Sequence, residues 1–242
     1  MPLEPGLLLS DRYRIEQLHK LGSHGAVYRA ADTVRNLQIA VKENLIADPP
    51  FQRQFLREAD ILGSLRHPSL PKVWDFLESE ELGQFIVMDF IEGENLSDWI
   101  THDSLPADEL VFMLAGIFDA LTYIHSRNPP VIHRDINPSN VILSPLGRPF
   151  LVDFGWASPA GRFDARTDVY SLAATIYALL TLHIPADALQ RAMGREALEP
   201  ARTLNPAIPS RVEAALEHAL AVRPEDRYPN IATFKQGLAE IP

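Results

Sequence analysis

Strand-like and helix-like patterns are segregated along this chain, and no other feature narrows its fold as much. The runs "RYRIEQL", "GAVYRAAD", "LQIAVKENL", "KVWDFLE" and "QFIVMDFIEG" are rich in β-branched and aromatic residues, and all lie ahead of Glu92-Gly93. One helical pattern interrupts them. In "PPFQRQFLREADILGSLRHP", Phe51, Phe55, Leu62 and Leu65 recur at helical spacing, with Pro49-Pro50 ahead of the helix and His67-Pro68 ending it. Beyond Gly93 helical patterns dominate. Strands gathered first and helices afterwards predict an α+β chain rather than alternating β-α units. A β-rich lobe over about residues 11–91 and a helical lobe over about 92–242, meeting in a hinge near Glu92-Gly93, would together make one domain of residues 1–242.

The helical part has its own grammar. "PADELVFMLAGIFDALTYIHS" carries Leu110, Leu114, Ile117, Leu121 and Ile124 on one face, with Pro106 suited to its first turn. "TDVYSLAATIYALLT" is apolar almost all round, which marks a buried helix. "RVEAALEHALAV" and "NIATFKQGLAEI" are amphipathic, and "NVILS" and "PFLVDF" are short strands flanking the turn "PLGR". Apolar residues make up 46%, too many for a disordered chain. The net charge of −10 argues against a nucleic-acid binder, which needs a basic face. With no cysteine, thiolate chemistry, disulfides and cysteine metal sites are excluded, which suits a reducing compartment. The start lacks a basic region ahead of its short apolar run, and the most apolar stretch is broken by His183, Pro185 and Asp187, so neither a signal peptide nor a membrane span is expected. A cytoplasmic protein follows as the expectation.

Three groups of residues have chemical potential. Gly22 and Gly25 lie between two strand patterns, where glycine lets backbone amides approach phosphates closely. Alone, they mark only a hairpin turn. Lys42 stands in the strand run "IAVKE", and sixteen residues on, Glu58 lies within the helix pattern "FLREADIL". Each is unremarkable singly; as a pair, the carboxylate would orient the ammonium toward phosphates. Asp135 and Asn140 in "VIHRDINPSN", and Asp153 after "PFLV", are hard oxygen ligands of the kind Mg²⁺ takes alongside phosphate oxygens and water. Taken one by one they are ordinary loop residues.

In order and spacing, these strings resemble the eukaryotic-like serine/threonine protein kinases found in bacteria: a glycine-rich loop, "AVK", a helix glutamate, "HRD" with asparagine five residues after its aspartate, then "DFG". The resemblance spans nearly the whole chain. It implies a bilobal protein-kinase-like fold with ATP between the lobes. Gly22, Gly25 and Val27 would cover the nucleotide, Ala40 would pack on adenine, and Lys42 would contact the α- and β-phosphates while pairing with Glu58. Met88 takes the gatekeeper position, and Asp89 to Ile91 would bind adenine through main-chain groups. Asp135 would accept the substrate hydroxyl proton, and Asn140 and Asp153 would hold Mg²⁺. Leu62, Val73, His133 and Phe154 match the family's stacked spine, with Asp168 as its anchor.

The chain also departs from the family. Lys20 replaces the loop's first glycine and His24 stands at its tip. Asn137 replaces a lysine that reaches the γ-phosphate; losing a charge-assisted bond of about 1.5–3 kcal/mol slows transfer roughly ten- to a hundredfold. Arg162, or another nearby cation, is the candidate to restore that charge. Only thirteen positions separate Gly155 from Asp168, so most of the activation segment, its Ala-Pro-Glu motif and the peptide-docking surface are missing. Arg227 thereby loses its usual glutamate, and Asp164 is the expected replacement. Thr167 is expected to cap the buried helix. Control by phosphorylation of so short a segment is not expected, nor is good activity on generic peptides. A serine/threonine protein kinase of reduced activity fits best. The alternatives are a nucleotide-binding pseudokinase acting as a scaffold or allosteric partner, and a small-molecule kinase. Substrate, pathway and oligomeric state are not written in the sequence.

Overall fold

The computed structural model describes residues 2–23, 25–79, 81–100, 106–161 and 163–239. The chain forms two compact units, Met1–Arg66 with Leu70–Glu92, and His67–Ser69 with Gly93–Pro242.

The first unit is an antiparallel sheet carrying one helix. Its strands are β1 (Leu8–Leu9), β2 (Tyr13–Leu21), β3 (Gly25–Asp32), β4 (Leu37–Asn44), β5 (Val73–Ser79) and β6 (Gly83–Asp89), ordered β1-β2-β3-β4-β6-β5. Alternate residues point to opposite faces. One face is closed by Tyr13, Ile15, Ala26, Tyr28, Ala30, Ile39, Val41, Phe85 and Val87, all buried. Register places Val27 opposite Lys42, Lys42 opposite Ile86, and Ala40 opposite Met88, so these five side chains share the other face. Helix α1 (Pro49–Ser64) covers part of that face, packing Phe55 and Ala59 on Ile86. Pro49 and Pro50 do not precede α1, as expected from sequence, but form its first two positions, where a missing N–H costs nothing. The buried stripe of α1 includes Phe55, Leu62 and one acid, Glu58.

The second unit opens at Gly93. Its φ is 150°, and a β-carbon there would lie 2.2 Å from the Leu143 carbonyl oxygen, so only glycine fits. Strand β7 (Glu94–Asn95) leads into α2 (Leu96–Trp99), then α3 (Ala107–Met113) and α4 (Ala115–His125). The expected single helix is thus broken at Leu114, yet Leu110, Leu114, Ile117, Leu121 and Ile124 are all fully buried, because the break keeps their face in register. Strands β8 (Val131–Ile132), β9 (Val141–Leu143), β10 (Pro149–Leu151) and β11 (Ser158–Pro159) follow, with β9 between β10 and β7, and β11 paired to β8. Helix α5 (Ala165–Thr181) is the buried centre, with Val169, Leu172, Ala173 and Ile176 fully enclosed. Helices α6 (Ala188–Ala192), α7 (Ala201–Leu204), α8 (Ser210–Ala219) and α9 (Ile231–Ala239) complete the unit. Among the described residues no helix is long and apolar enough to cross a membrane.

Candidate active site

In the first unit, Lys42 and Glu58 meet. Their side chains are mostly buried, and Nζ lies 2.6 Å from Oε1. A lysine on a half-covered sheet face would be costly to desolvate alone, and the acid on the buried stripe of α1 offsets that cost. Gly25 has a local steric reason: a β-carbon would come within 2.7 Å of the Glu43 carbonyl oxygen on β4. The Gly22 N–H donates to the Gly25 carbonyl at 2.9 Å, closing the turn. Val27, Ala40 and Met88 lie on the face of Lys42. Asp89 is committed elsewhere: its carboxylate accepts from the Lys72 N–H and the Trp74 indole, and its own N–H donates to the Lys72 carbonyl. That N–H is therefore engaged within the first unit rather than free for a ligand.

In the second unit, the loop after β8 converges on Asp135. Asn140 Nδ2 donates to the Asp135 carboxylate at 2.9 Å and to its carbonyl at 2.9 Å. Asn137 Nδ2 donates to the other carboxylate oxygen at 3.1 Å, while its Oδ1 accepts the Ser139 N–H and caps the turn Pro138–Asn140. The same nitrogen also donates to the Asp135 carbonyl at 3.2 Å, so both amide hydrogens are directed at Asp135.

Asp168, fully buried on α5, organises the same loop. It accepts from the backbone N–H groups of His133 and Arg134, each at 2.8 Å, and lies 2.8 Å from His125 Nε2. Burial pushes the His133 imidazole below its ordinary pKa, against the pull of Asp168, Asp135 and Asp153. Its ring meets Phe154 edge-to-face at 4.6 Å. Arg134 and Asp153 both take positive φ, 70° and 64°, a region that non-glycine residues seldom occupy. Backbone strain of this kind gathers at functional sites.

The donor set suits Mg²⁺. Asn140 spends its amide nitrogen on Asp135, which leaves its amide oxygen as the atom able to ligate. The Val152 N–H donates to the Asn140 carbonyl at 2.9 Å, tying that residue to the stretch between β10 and Asp153. Among the described residues no group of three or more acids, histidines or cysteines is built to hold an ion. Few protein oxygens, with phosphate and water completing the shell, is how Mg²⁺ is commonly bound.

The segment after Asp153 makes one short excursion. Ser158 and Pro159 pair with Ile132 and Val131, and the chain then enters α5. Asp164, rather than Thr167, caps that helix, accepting from the Arg166 N–H and pairing with the Arg166 guanidinium. Asp164 therefore acts on Arg227 as a neighbouring charge, while the hydrogen bonds of Arg227 among the described residues go to carbonyls. That guanidinium donates to the carbonyls of Ala221, Val222 and Arg166 and lies 4.4 Å from the centre of the Tyr170 ring. Burial lowers its pKa, while the nearby Tyr170 raises it. His24 and Arg162 lie outside the described residues. Sequence reasoning missed His125 and Phe163; the histidine ending "LTYIH" was the available signal for the first.

Residues 15–162 match the protein kinase domain family. The DNA damage-responsive serine/threonine-protein kinase RqkA of Deinococcus radiodurans is 31% identical over 94% of this chain and 39% of its own length. The serine/threonine-protein kinase PknB of Mycobacterium leprae is 30% identical over 96% of this chain and 43% of its own. The chain spans about two fifths of the length of these curated relatives. Among solved structures, the Mycobacterium tuberculosis PknI kinase domain superposes with a TM-score of 0.80 at 28% identity, covering 98% of both chains. An apo form of PpkA gives 0.83 at 22% identity over 98% of this chain and 99% of its own, a likeness of fold alone. Members of this family generally use ATP and Mg²⁺. With the kinase strings in order and a protein-kinase fold to hold them, the chain belongs to the protein kinase family, in its bacterial serine/threonine branch.

Proposed function

We propose that this chain transfers the γ-phosphoryl group of ATP to a serine or threonine hydroxyl of a protein, more slowly than relatives that carry lysine in place of Asn137. The observation that carries the proposal is the Asp135 carboxylate, held on each oxygen by a different asparagine amide. Such preorganisation suits a group that orients a hydroxyl and takes its proton as the oxygen attacks phosphorus and the bond to ADP breaks. Lys42, aligned by Glu58, contacts the α- and β-phosphates. Val27, Ala40 and Met88 pack on adenine, Gly22 and Gly25 let the loop approach the phosphates, and main-chain groups from Asp89 to Ile91 bind the base edge. Asn140 and Asp153 hold Mg²⁺, which neutralises phosphate charge. Incubation of purified protein with γ-labelled ATP, Mg²⁺ and serine/threonine-containing acceptor proteins tests this. Label on hydroxyl residues, abolished by EDTA, is expected. Nucleotide binding without transfer would instead support the pseudokinase reading, and transfer confined to small molecules the third.

A further inference from the structure

Arg134 immediately precedes Asp135, and its place in the structure is unusual. Its backbone holds a positive φ, its N–H is fixed by Asp168, and its guanidinium carbon lies 4.2 Å from the centre of the Phe163 ring. Among the described residues no carboxylate stands within ion-pair distance of that guanidinium. A cation beside the reacting group thus has an aromatic face where a carboxylate or phosphate is the common partner. A ring quadrupole attracts a guanidinium in this position without adding net charge.

The backbone that carries the ring is itself anchored, although the side chain stays partly exposed. The Phe163 carbonyl accepts the Gly161 N–H, and the next residue, Asp164, caps α5. Upstream, Ser158 and Pro159 pair with β8, and the Ala160 N–H donates to the Pro130 carbonyl at 2.6 Å. The segment that presents Phe163 is therefore tied to the same strand that leads into Arg134. A segment this short has little freedom to leave, and a phosphate brought to Arg134 would compete with the ring for the guanidinium.

We propose that Phe163 is a positioning residue: its ring holds Arg134, and through it the Asp135 loop, in working geometry with no phosphate on the segment. The proposal rests on the kinase reading, and its test includes a readout that needs no catalysis. Hydrogen exchange over residues 131–137 and 156–161 is measured for wild type, Phe163→Ala, Phe163→Leu and Phe163→Tyr, all phosphatase-treated, beside kcat and KM for ATP. Alanine and leucine should speed exchange in both segments and lower kcat about tenfold, equivalent to ~1.4 kcal/mol. The KM for ATP should stay within about twofold, because uniform binding is untouched. Tyrosine should restore both exchange and rate. Leucine behaving like phenylalanine would reduce the contact to simple packing and overturn the proposal. Unchanged exchange at 131–137 in the alanine variant would overturn it too, as would a loss of wild-type activity on phosphatase treatment. If wild type transfers no phosphate, the kinase reading fails by itself and the exchange comparison alone decides the role of Phe163.

Discussion

Replacing Asn137 should move rate and stability in directions that separate its two jobs. Its Nδ2 supports the Asp135 carboxylate at 3.1 Å, and its Oδ1 caps the turn that carries Asn140. A hydrogen bond to a charged group contributes about 1.5–3 kcal/mol. This bond is long and only partly buried, so the low end applies, and Asn137→Ala should lower kcat about tenfold. Losing the cap adds about 1 kcal/mol of destabilisation, or a fall in Tm of roughly 2–4 °C for a domain of this size. Asn137→Lys loses the same cap, so its Tm should fall similarly. An ammonium has three donors, however, and reaches both Asp135 and a γ-phosphate, so kcat should rise about tenfold. Initial rates at saturating Mg·ATP, beside thermal melts of the same preparations, check both effects. If alanine and lysine shift kcat in the same direction, the assignment of Asn137 as a neutral support for Asp135 is wrong.

Asp168→Ala leaves the backbone N–H groups of His133 and Arg134 without their acceptor, a loss of roughly 2–6 kcal/mol; a urea midpoint close to wild type would show that the loop does not depend on it. The Arg12 guanidinium, hydrogen-bonded to Asp32 through two nitrogens, holds the Asp32 pKa down to about 2. A depressed folded pKa gives stability that is present above the ordinary carboxylate range and lost as pH falls from about 4 toward 2. Asp32→Asn should flatten that part of the urea-midpoint profile, and a profile as steep as wild type would assign the acid sensitivity elsewhere. Ser158→Ala and Thr167→Ala should each keep wild-type activity, and phosphatase should leave all three proteins unchanged; a large phosphatase loss in wild type that one alanine variant escapes would establish a phosphorylation switch.

The strands were legible because alternation is a local signal. The run "GAVYRAAD" coincides with β3, whose residues alternate between part-buried and buried from Gly25 to Asp32. The apolar set from Leu110 to Ile124 was equally plain, but the break at Leu114 was not, since leucine is apolar on either side of a kink. Lys42, Glu58, Asp135, Asn140 and Asp153 were readable as side-chain types at set spacings. Less visible was what each side chain does once backbone groups compete for it. The partners of Arg227 include carbonyls, which carry no residue signature. Asp164 was taken up by the N-terminus of α5, a stronger local claim than a distant arginine. Asn137 looked like a weakened lysine, although its geometry is that of a turn cap.

The most direct test of the account compares wild type with Asp135→Asn in two measurements on the same protein: Mg·ATP affinity by calorimetry, and Mg²⁺-dependent phosphoryl transfer. If Asp135 takes the proton, affinity should stay within about twofold while transfer is lost, the pattern of a group that acts only in the transition state. Transfer that survives in Asp135→Asn would contradict the account.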